Sequence, residues 1–383
     1  MIISFMNKLS LIVCTVLSIA LFTGCKKEMA VHDGVVSITD PTKSMEVAFE
    51  DVATNIRIVP LISDEPIDQL SSRIKCYGST AVIRSSSLYS LYVFEDGKLV
   101  GTLNKAGRGH GEYSLIKDFV YSPTRKVIYV ISLGGSTVMA YSVPDMSFIG
   151  SFDTGSFSVF AEHDDSTLIA KFNYEGNNGI YYVDAQNGKV KGKVKDIIGL
   201  DALMNEDMLY YSPQHRILSE YGAVNTISEL SAEIGAEPKV LLSYDFGKYG
   251  IPSDYDEISD RDIQGLLDFM HYIADHRETM VTDMIYTYAN SEYTSLWYTL
   301  NLKKYYLRVT GDDMTVYSGF RASGISDPFL PNGMTDDGFV RIIQGTTESV
   351  FNSQERSEFS SELETAMKNQ NLNNPVLVYY SIK

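Results

Sequence analysis

The sequence is short of cysteine, of basic side chains and of long apolar runs, and each shortage narrows what the chain is. Its three cysteines are Cys14, Cys25 and Cys76. The first two belong to the N-terminal region read below as a signal and a lipid site, which leaves Cys76 alone and excludes an intramolecular disulfide framework. Lys and Arg number 32 against 49 Asp and Glu, a net charge of −17. Phosphate binding needs clustered Lys and Arg, so nucleic acid is not expected as a partner. The acidity reads as solubility and repulsion from anionic surfaces.

Signatures of chemistry are also missing. No Gly-x-Ser-x-Gly elbow occurs, and the glycines from Gly107 to Gly111 lack the Lys-Ser/Thr ending of a phosphate loop. Among the six histidines, His271 and His276 come closest to a pair, yet five residues along a helix turn about 140°, so they do not share a face. The acids at Asp254, Asp256, Glu257, Asp260 and Asp262, and the pairs Asp164-Asp165, Asp312-Asp313 and Asp336-Asp337, do not reproduce a calcium loop ending in Glu. No metal and no cofactor is expected.

What is present begins with one apolar run, Leu9 to Phe22, behind a single Lys8. It is too short to span a bilayer of roughly 30 Å comfortably and has the layout of a cleaved signal peptide. Leu21, Phe22, Thr23, Gly24 and Cys25 resemble the lipobox, in which cleavage before the cysteine precedes its acylation. Residues 1–24 are therefore read as the signal, Cys25 as the lipidation site and 25–45 as a tether. Cleavage removes Lys8 and no acid, so the mature chain carries −18.

Beyond residue 45 the pattern is β. Aromatics make up 11% with 26 Tyr, and short apolar runs alternate with Gly, Asn and Asp turns. Leu88 to Leu103 reads as a hairpin about Asp96-Gly97, Val138 to Phe152 as one about Pro144-Asp145, and Gly179 to Val194 as one about Asn187-Gly188. Their outgoing strands superpose Leu99, Phe148 and Val190, in steps of 49 and 42 residues. A repeat of several strands every 40 to 50 residues or so is the signature of propeller blades.

The second half is less regular. Ile263, Leu266, Leu267, Met270 and Ile273 fall at helical spacing, which predicts a helical insertion near 259–280, capped by Ser259 or Asp260. Phe359, Leu363, Ala366 and Met367 predict another helix near 353–368. Both read as braces on the propeller. The sole tryptophan, Trp297, is expected in the core, and residues 46–383 as one domain.

The residues also carry a family resemblance. Asp96-Gly97, then Gly107, Arg108, Gly109, His110, Gly111, Glu112 and Tyr113, then Asp118-Phe119 and Ile128-Tyr129-Val130, resemble the opening blades of six-bladed β-propeller lipoproteins of Gram-negative bacteria, relatives of the NHL-type propellers. The family usually has Pro where this chain has His110. Tyr244 to Tyr249 with Ile251-Pro252 is similar to its mid-chain signature, and Asn374 to Val378 to its closing strand. The resemblance implies an all-β, six-bladed β-propeller with short helical insertions, exported and lipid-anchored to the outer membrane. It implies no reaction.

A propeller ring closes without unpaired edges when its first and last strands share a blade. Val376 to Ile382 is therefore expected beside Ile56 to Leu61. Propellers gather loops from every blade at one end of the channel. Arg108, His110 and Glu112 are the expected ligand-binding residues there, with an Arg108–Glu112 ion pair across the turn as the structural alternative. Of two functions, a non-catalytic binding or scaffold module for a saccharide, peptide or protein partner is favoured. The other is a hydrolase or lyase working in the central channel, for which no cluster of His and acids argues. The chain is expected to be monomeric.

Overall fold

The strands reverse where turn chemistry demands it. Asp96 and Gly97 take φ of 47° and 79°, the left-handed pair that a two-residue hairpin needs, between Leu91–Glu95 and Lys98–Leu103. Hairpins likewise form about Pro144-Asp145 and Asn187-Gly188. The computed structural model describes residues 27–28, 31–32, 35–38, 44–132, 137–153, 159–197, 209–211, 216–222, 225–252, 255, 263–311, 313–370 and 374–383. The signal peptide, Cys25, Ser259, Asp260 and the acids at 254, 256, 257 and 262 lie outside them.

Six antiparallel sheets result. Blade 1 is Leu70–Tyr77, Thr80–Ser85, Leu91–Glu95 and Lys98–Leu103. Blade 2 is Ile116–Ser122, Val127–Ser132, Thr137–Ser142 and Phe148–Asp153. Blade 3 is Val159–Asp164, Thr167–Tyr174, Asn177–Asp184 and Val190–Asp196. Blade 4 is Leu209–Tyr211, Arg216–Glu220, Thr226–Glu229 and Lys239–Asp245. Blade 5 is Val281–Ala289, Thr294–Leu300, Lys303–Thr310 and Asp313–Arg321. Blade 6 takes Gly333–Thr335, Gly338–Ile343 and Val376–Ile382 from the end of the chain and Ala53–Pro60 from its start. In each blade the strands run in that order from the inner strand to the rim.

Blade 6 closes the ring as expected: Val376 pairs with Pro60, Leu377 with Val59 and Val378 with Ile58. Gln344 adds an amide clasp across the closure, accepting from Leu70 N at 3.1 Å and donating to Leu70 O at 3.0 Å. Each blade then buries an apolar face against the next. Val82, Val93 and Tyr113 of the first half meet Phe119, Tyr121 and Val130, while Trp297, Tyr306, Phe339 and Tyr380 fill the junction of blades 5 and 6. Trp297 is in the core, as expected.

The 25–45 stretch, expected as a tether, contributes strands to the rim. Val35–Ser37 adds in parallel to the outer strand of blade 4, with Val36 and Ile38 buried, and Met45–Ala48 adds in parallel to that of blade 5. The physical reason is that an outer strand leaves half of its backbone groups unpaired and an extended apolar segment satisfies them.

Among the described residues the α-helices are α1 (Phe49–Val52), α2 (Ile263–His276), α3 (Thr347–Val350) and α4 (Glu358–Lys368). Ser357 caps α4 by accepting from Ser360 N, and Phe359 and Leu363 are buried as the stripe predicts. Among the described side chains of α2 the buried one is Phe269, whose ring meets Tyr255, whereas Leu267 and Met270 of the predicted stripe face outward and those of Ile263 and Leu266 lie outside the described ones.

Candidate functional site

The turn that carries the expected site residues is built on Tyr113. Its buried ring sits between blades 1 and 2, and its hydroxyl donates to Tyr89 O at 2.8 Å and accepts from Lys105 N at 3.1 Å. Two backbone bonds, Gly107 N to Tyr113 O and Tyr113 N to Lys105 O, tie the loop's ends together. Burial, offset in part by the Lys105 amide, pushes the Tyr113 hydroxyl up to about 12, so it stays a neutral donor.

Glu112 closes the turn from within. Its carboxylate accepts from Gly109 N at 2.7 Å and occupies the space that a side chain at position 107 would need. It thus bonds the backbone of its own loop. Gly111, at φ 72°, lets the chain reverse hard against Phe148, where an added Cβ would come within 2.7 Å of the ring. Arg108 and His110 are left exposed at the tip, with the His110 ring edge-on to Phe148 at 4.9 Å.

Those contacts correct the expected location. Phe148 belongs to the outermost strand of blade 2, and Tyr141, which donates to Gly111 O, to the strand beside it. Arg108, His110 and Glu112 therefore sit on one turn at the rim, instead of facing the channel mouth. The connection from blade 1 to blade 2 starts at an outer strand, and Tyr113 pins it before it reaches the inner one.

A second polar cluster, unforeseen from sequence, lies between the inner strands of blades 1 and 2. Asp118 is buried and accepts from Arg73 Nη2 at 2.9 Å, with Lys75 Nζ 3.1 Å away. Arg84 reaches across to the carbonyls of Ile116 and Lys117 at 3.1 and 2.6 Å. Burial works against the Asp118 carboxylate, yet Arg73 and Lys75 hold it below its ordinary range. Burial, opposed by Asp118 but assisted by Arg73 and Arg84, brings the Lys75 amine down to about 8. These charges are spent on one another and on the backbone, as befits an inter-blade fastening. The sequence signal was the alternation Arg73-x-Lys75 on one strand face, which names no partner until Asp118 is brought beside it.

Glu162, on the inner strand of blade 3, is the other perturbed acid. Burial first, with Asp164 and Asp165 adding repulsion, pushes its carboxyl up to about 7. Among the described residues, no three His, Cys, Asp or Glu side chains gather in a group able to hold a metal ion.

A structural comparison and a family signature agree with this architecture. A protein described as a candidate exported protein, from Bacteroides fragilis, has a crystal structure that superposes with a TM-score of 0.66 at 17% identity, over 91% of this chain and 99% of that one. At that identity the likeness is one of fold. A member of the DUF4221 family from Bacteroides vulgatus gives a TM-score of 0.49 at 11% identity, over 87% and 98% of the two chains. No curated protein matches the sequence. The sequence signature of DUF5128, described as a 6-bladed beta-propeller, matches residues 26–310. That match takes in five of the six inner strands seen here, and the chain belongs to the DUF5128 family of six-bladed β-propellers.

Proposed function

We propose that the protein is an exported, lipid-anchored, non-catalytic binding module that captures an extracytoplasmic partner on the rim of blade 2. The observation that carries this is the Arg108–His110 tip: two exposed side chains on a loop whose backbone is held by Tyr113 and Glu112. A loop fixed at its base and exposed at its tip suits recognition, because little ordering entropy is left to lose on binding. The cations of the inner wall are instead engaged with Asp118 and with carbonyls. Export is supported by the signal-like N-terminus and by the description of the Bacteroides fragilis relative. Anchoring is supported by the lipobox-like segment ending at Cys25.

Two experiments test the reading. Replacement of Cys25 by Ser should release the protein from the membrane pellet, and an unchanged pellet would place the anchor elsewhere. The mature chain is then passed over glycan and peptide arrays beside a Arg108→Ala, His110→Ala double variant. Loss of the hits in the variant supports the rim; undiminished hits remove it from the reading. Mass spectrometry of a captured compound should find it unaltered, and a cleaved product would establish catalysis instead.

A further inference from the structure

The outer strands of blades 1, 2 and 3 are equivalent in sequence and unequal in what covers them. They align as Leu99-Val100-Gly101-Thr102, Phe148-Ile149-Gly150-Ser151 and Val190-Lys191-Gly192-Lys193. In blade 1 the chain itself caps the edge: Ile62 runs parallel to Lys98, donating to Gly97 O at 2.7 Å and accepting from Leu99 N at 2.9 Å. Val35–Ser37 and Met45–Ala48 do the same, again in parallel, for blades 4 and 5, and Lys27–Glu28 pairs antiparallel with the same blade 5 strand. Blade 3 has lysines instead: Lys191 Nζ lies back over its own blade, donating to Ser166 O at 2.9 Å and Thr167 Oγ1 at 3.0 Å, and Lys193 pairs with Asp196 at 2.9 Å. Lysines on an edge strand, inward-pointing ones included, are a common guard against strand pairing.

Blade 2 has neither device. Among the described residues no strand pairs with the outer edge of Phe148–Asp153. Ile149 and Ser151 stand where blade 3 has lysines, and Ile149 is 54% exposed. The central glycines differ as well. A Cβ at Gly101 would meet Pro144 O at 2.8 Å and one at Gly192 would meet Ile234 at 2.9 Å, both from the following blade, whereas one at Gly150 would meet nothing within 4 Å among the described residues.

We infer that this edge is a strand-addition site, which takes an extended, uncharged segment of a partner protein as a fifth strand of blade 2. The inference rests on the rim reading, since His110 packs on Phe148 at the start of the same strand. The chemistry of the occupant follows from the three parallel segments the chain lays on its own edges, which include Ile62, Val35-Val36 and Val47. The charge among them, Glu46, pairs with Arg321 of the strand it covers, and Phe148–Asp153 has no basic residue to match one. Backbone bonds supply the affinity, and the opening beside Gly150 accepts alternate side chains of the guest. His110 flanks one end of the added strand, with Arg108 on the same turn.

The test uses the mature chain and a labelled eight-residue peptide of alternating threonine and valine, with a second copy N-methylated at alternate amides. Fluorescence anisotropy should show binding of the first peptide and at least about tenfold weaker binding of the second, because methylation removes half of the backbone donors. Hydrogen exchange should slow at the outward amides of Phe148–Asp153. The double variant Ile149→Lys, Ser151→Lys should lose binding and keep its melting temperature. Equal binding of both peptides, or of the variant, overturns strand addition. If the Arg108→Ala, His110→Ala variant alone loses binding, the rim reading stands without it; if only methylation and the lysines matter, the added strand stands without those two side chains. Concentration-dependent dimers dissolved by the lysine variant would make a second copy the occupant and also overturn the inference.

Discussion

Blades 4 and 2 treat the same structural element in opposite ways. The outer strand of blade 4 is covered by Val35–Ser37, which buries Val36 and Ile38. The outer strand of blade 2 shows Ile149 to solvent and carries no guard among the described residues. Both have similar pleats and similar unpaired backbone groups, so the backbone alone does not explain the difference. What differs is whether an apolar segment of the chain is within reach, and the N-terminal segment passes blades 4 and 5 on its way to blade 6. A covered edge is part of the fold's stability, while an open one is available for something else.

That contrast can be broken experimentally, beginning where coverage matters most. Truncation after Asn373 removes Val376–Ile382 and with it a strand that pairs on both sides. Val376, Leu377, Val378, Tyr380 and Ile382 are all nearly inaccessible, and at about 2 kcal/mol per buried apolar side chain their loss rivals the whole stability of a domain. Circular dichroism should show no cooperative melting transition; an unchanged midpoint would mean that the ring does not depend on its closure.

Smaller but still large is the effect of uncovering blade 4. Val36→Ala with Ile38→Ala should cost about 3–5 kcal/mol, measured by urea unfolding, because both side chains leave cavities against Tyr244 and Leu242. A cost under about 0.5 kcal/mol, the range of ordinary surface changes, would make the strap an ornament and erase the distinction between the two blades.

The inner wall provides a control in which burial opposes stability. Glu162 has a folded pKa raised from the ordinary 4.5 to about 7. A raised carboxyl gives stability that is complete below pH 4.5 and is lost as the pH climbs to about 7, since the folded state then binds the extra proton. Melting temperature should therefore fall between pH 4.5 and 7, and Glu162→Gln should flatten that slope and melt higher than the parent at pH 8. An identical pH profile in the variant would show that Glu162 is solvated.

The smallest expected change is at the open edge. Ile149→Lys with Ser151→Lys, which copies the pattern of blade 3, should shift stability by no more than about 0.5 kcal/mol. A loss of several kcal/mol would mean that Ile149 is packed in the native protein, and the blade 2 edge would join the covered ones.

Much of this architecture was legible beforehand. The three hairpins follow from turn residues that admit few alternatives, and the β-branched closing strand found its partner where an open ring would leave edges unpaired. Other features were not. Residues 35–38 read as tether because their partner strand, Lys239–Asp245, lies two hundred or so positions away, and short apolar triplets have no period of their own. The helix α2 was recognised by spacing, yet Leu267 and Met270 face outward, because which side of an amphipathic helix packs depends on the neighbours it meets.

The sequence by itself determined the local conformations, the repeat of the blades and the acidic surface, since these depend on residues a few positions apart or on composition. Tertiary structure decided where the Arg108–Glu112 turn sits, which charges Asp118 neutralises and, among the described residues, which edges no strand covers. Each of these is a meeting of segments far apart in the chain, and ring closure sets such meetings through the distances it imposes. Gly101, Gly150 and Gly192 occupy equivalent places in one repeat, yet the following blade fills the space beside two of them and, among the described residues, leaves the third bare. Nothing within the repeat itself distinguishes them, because the covering atoms come from another blade.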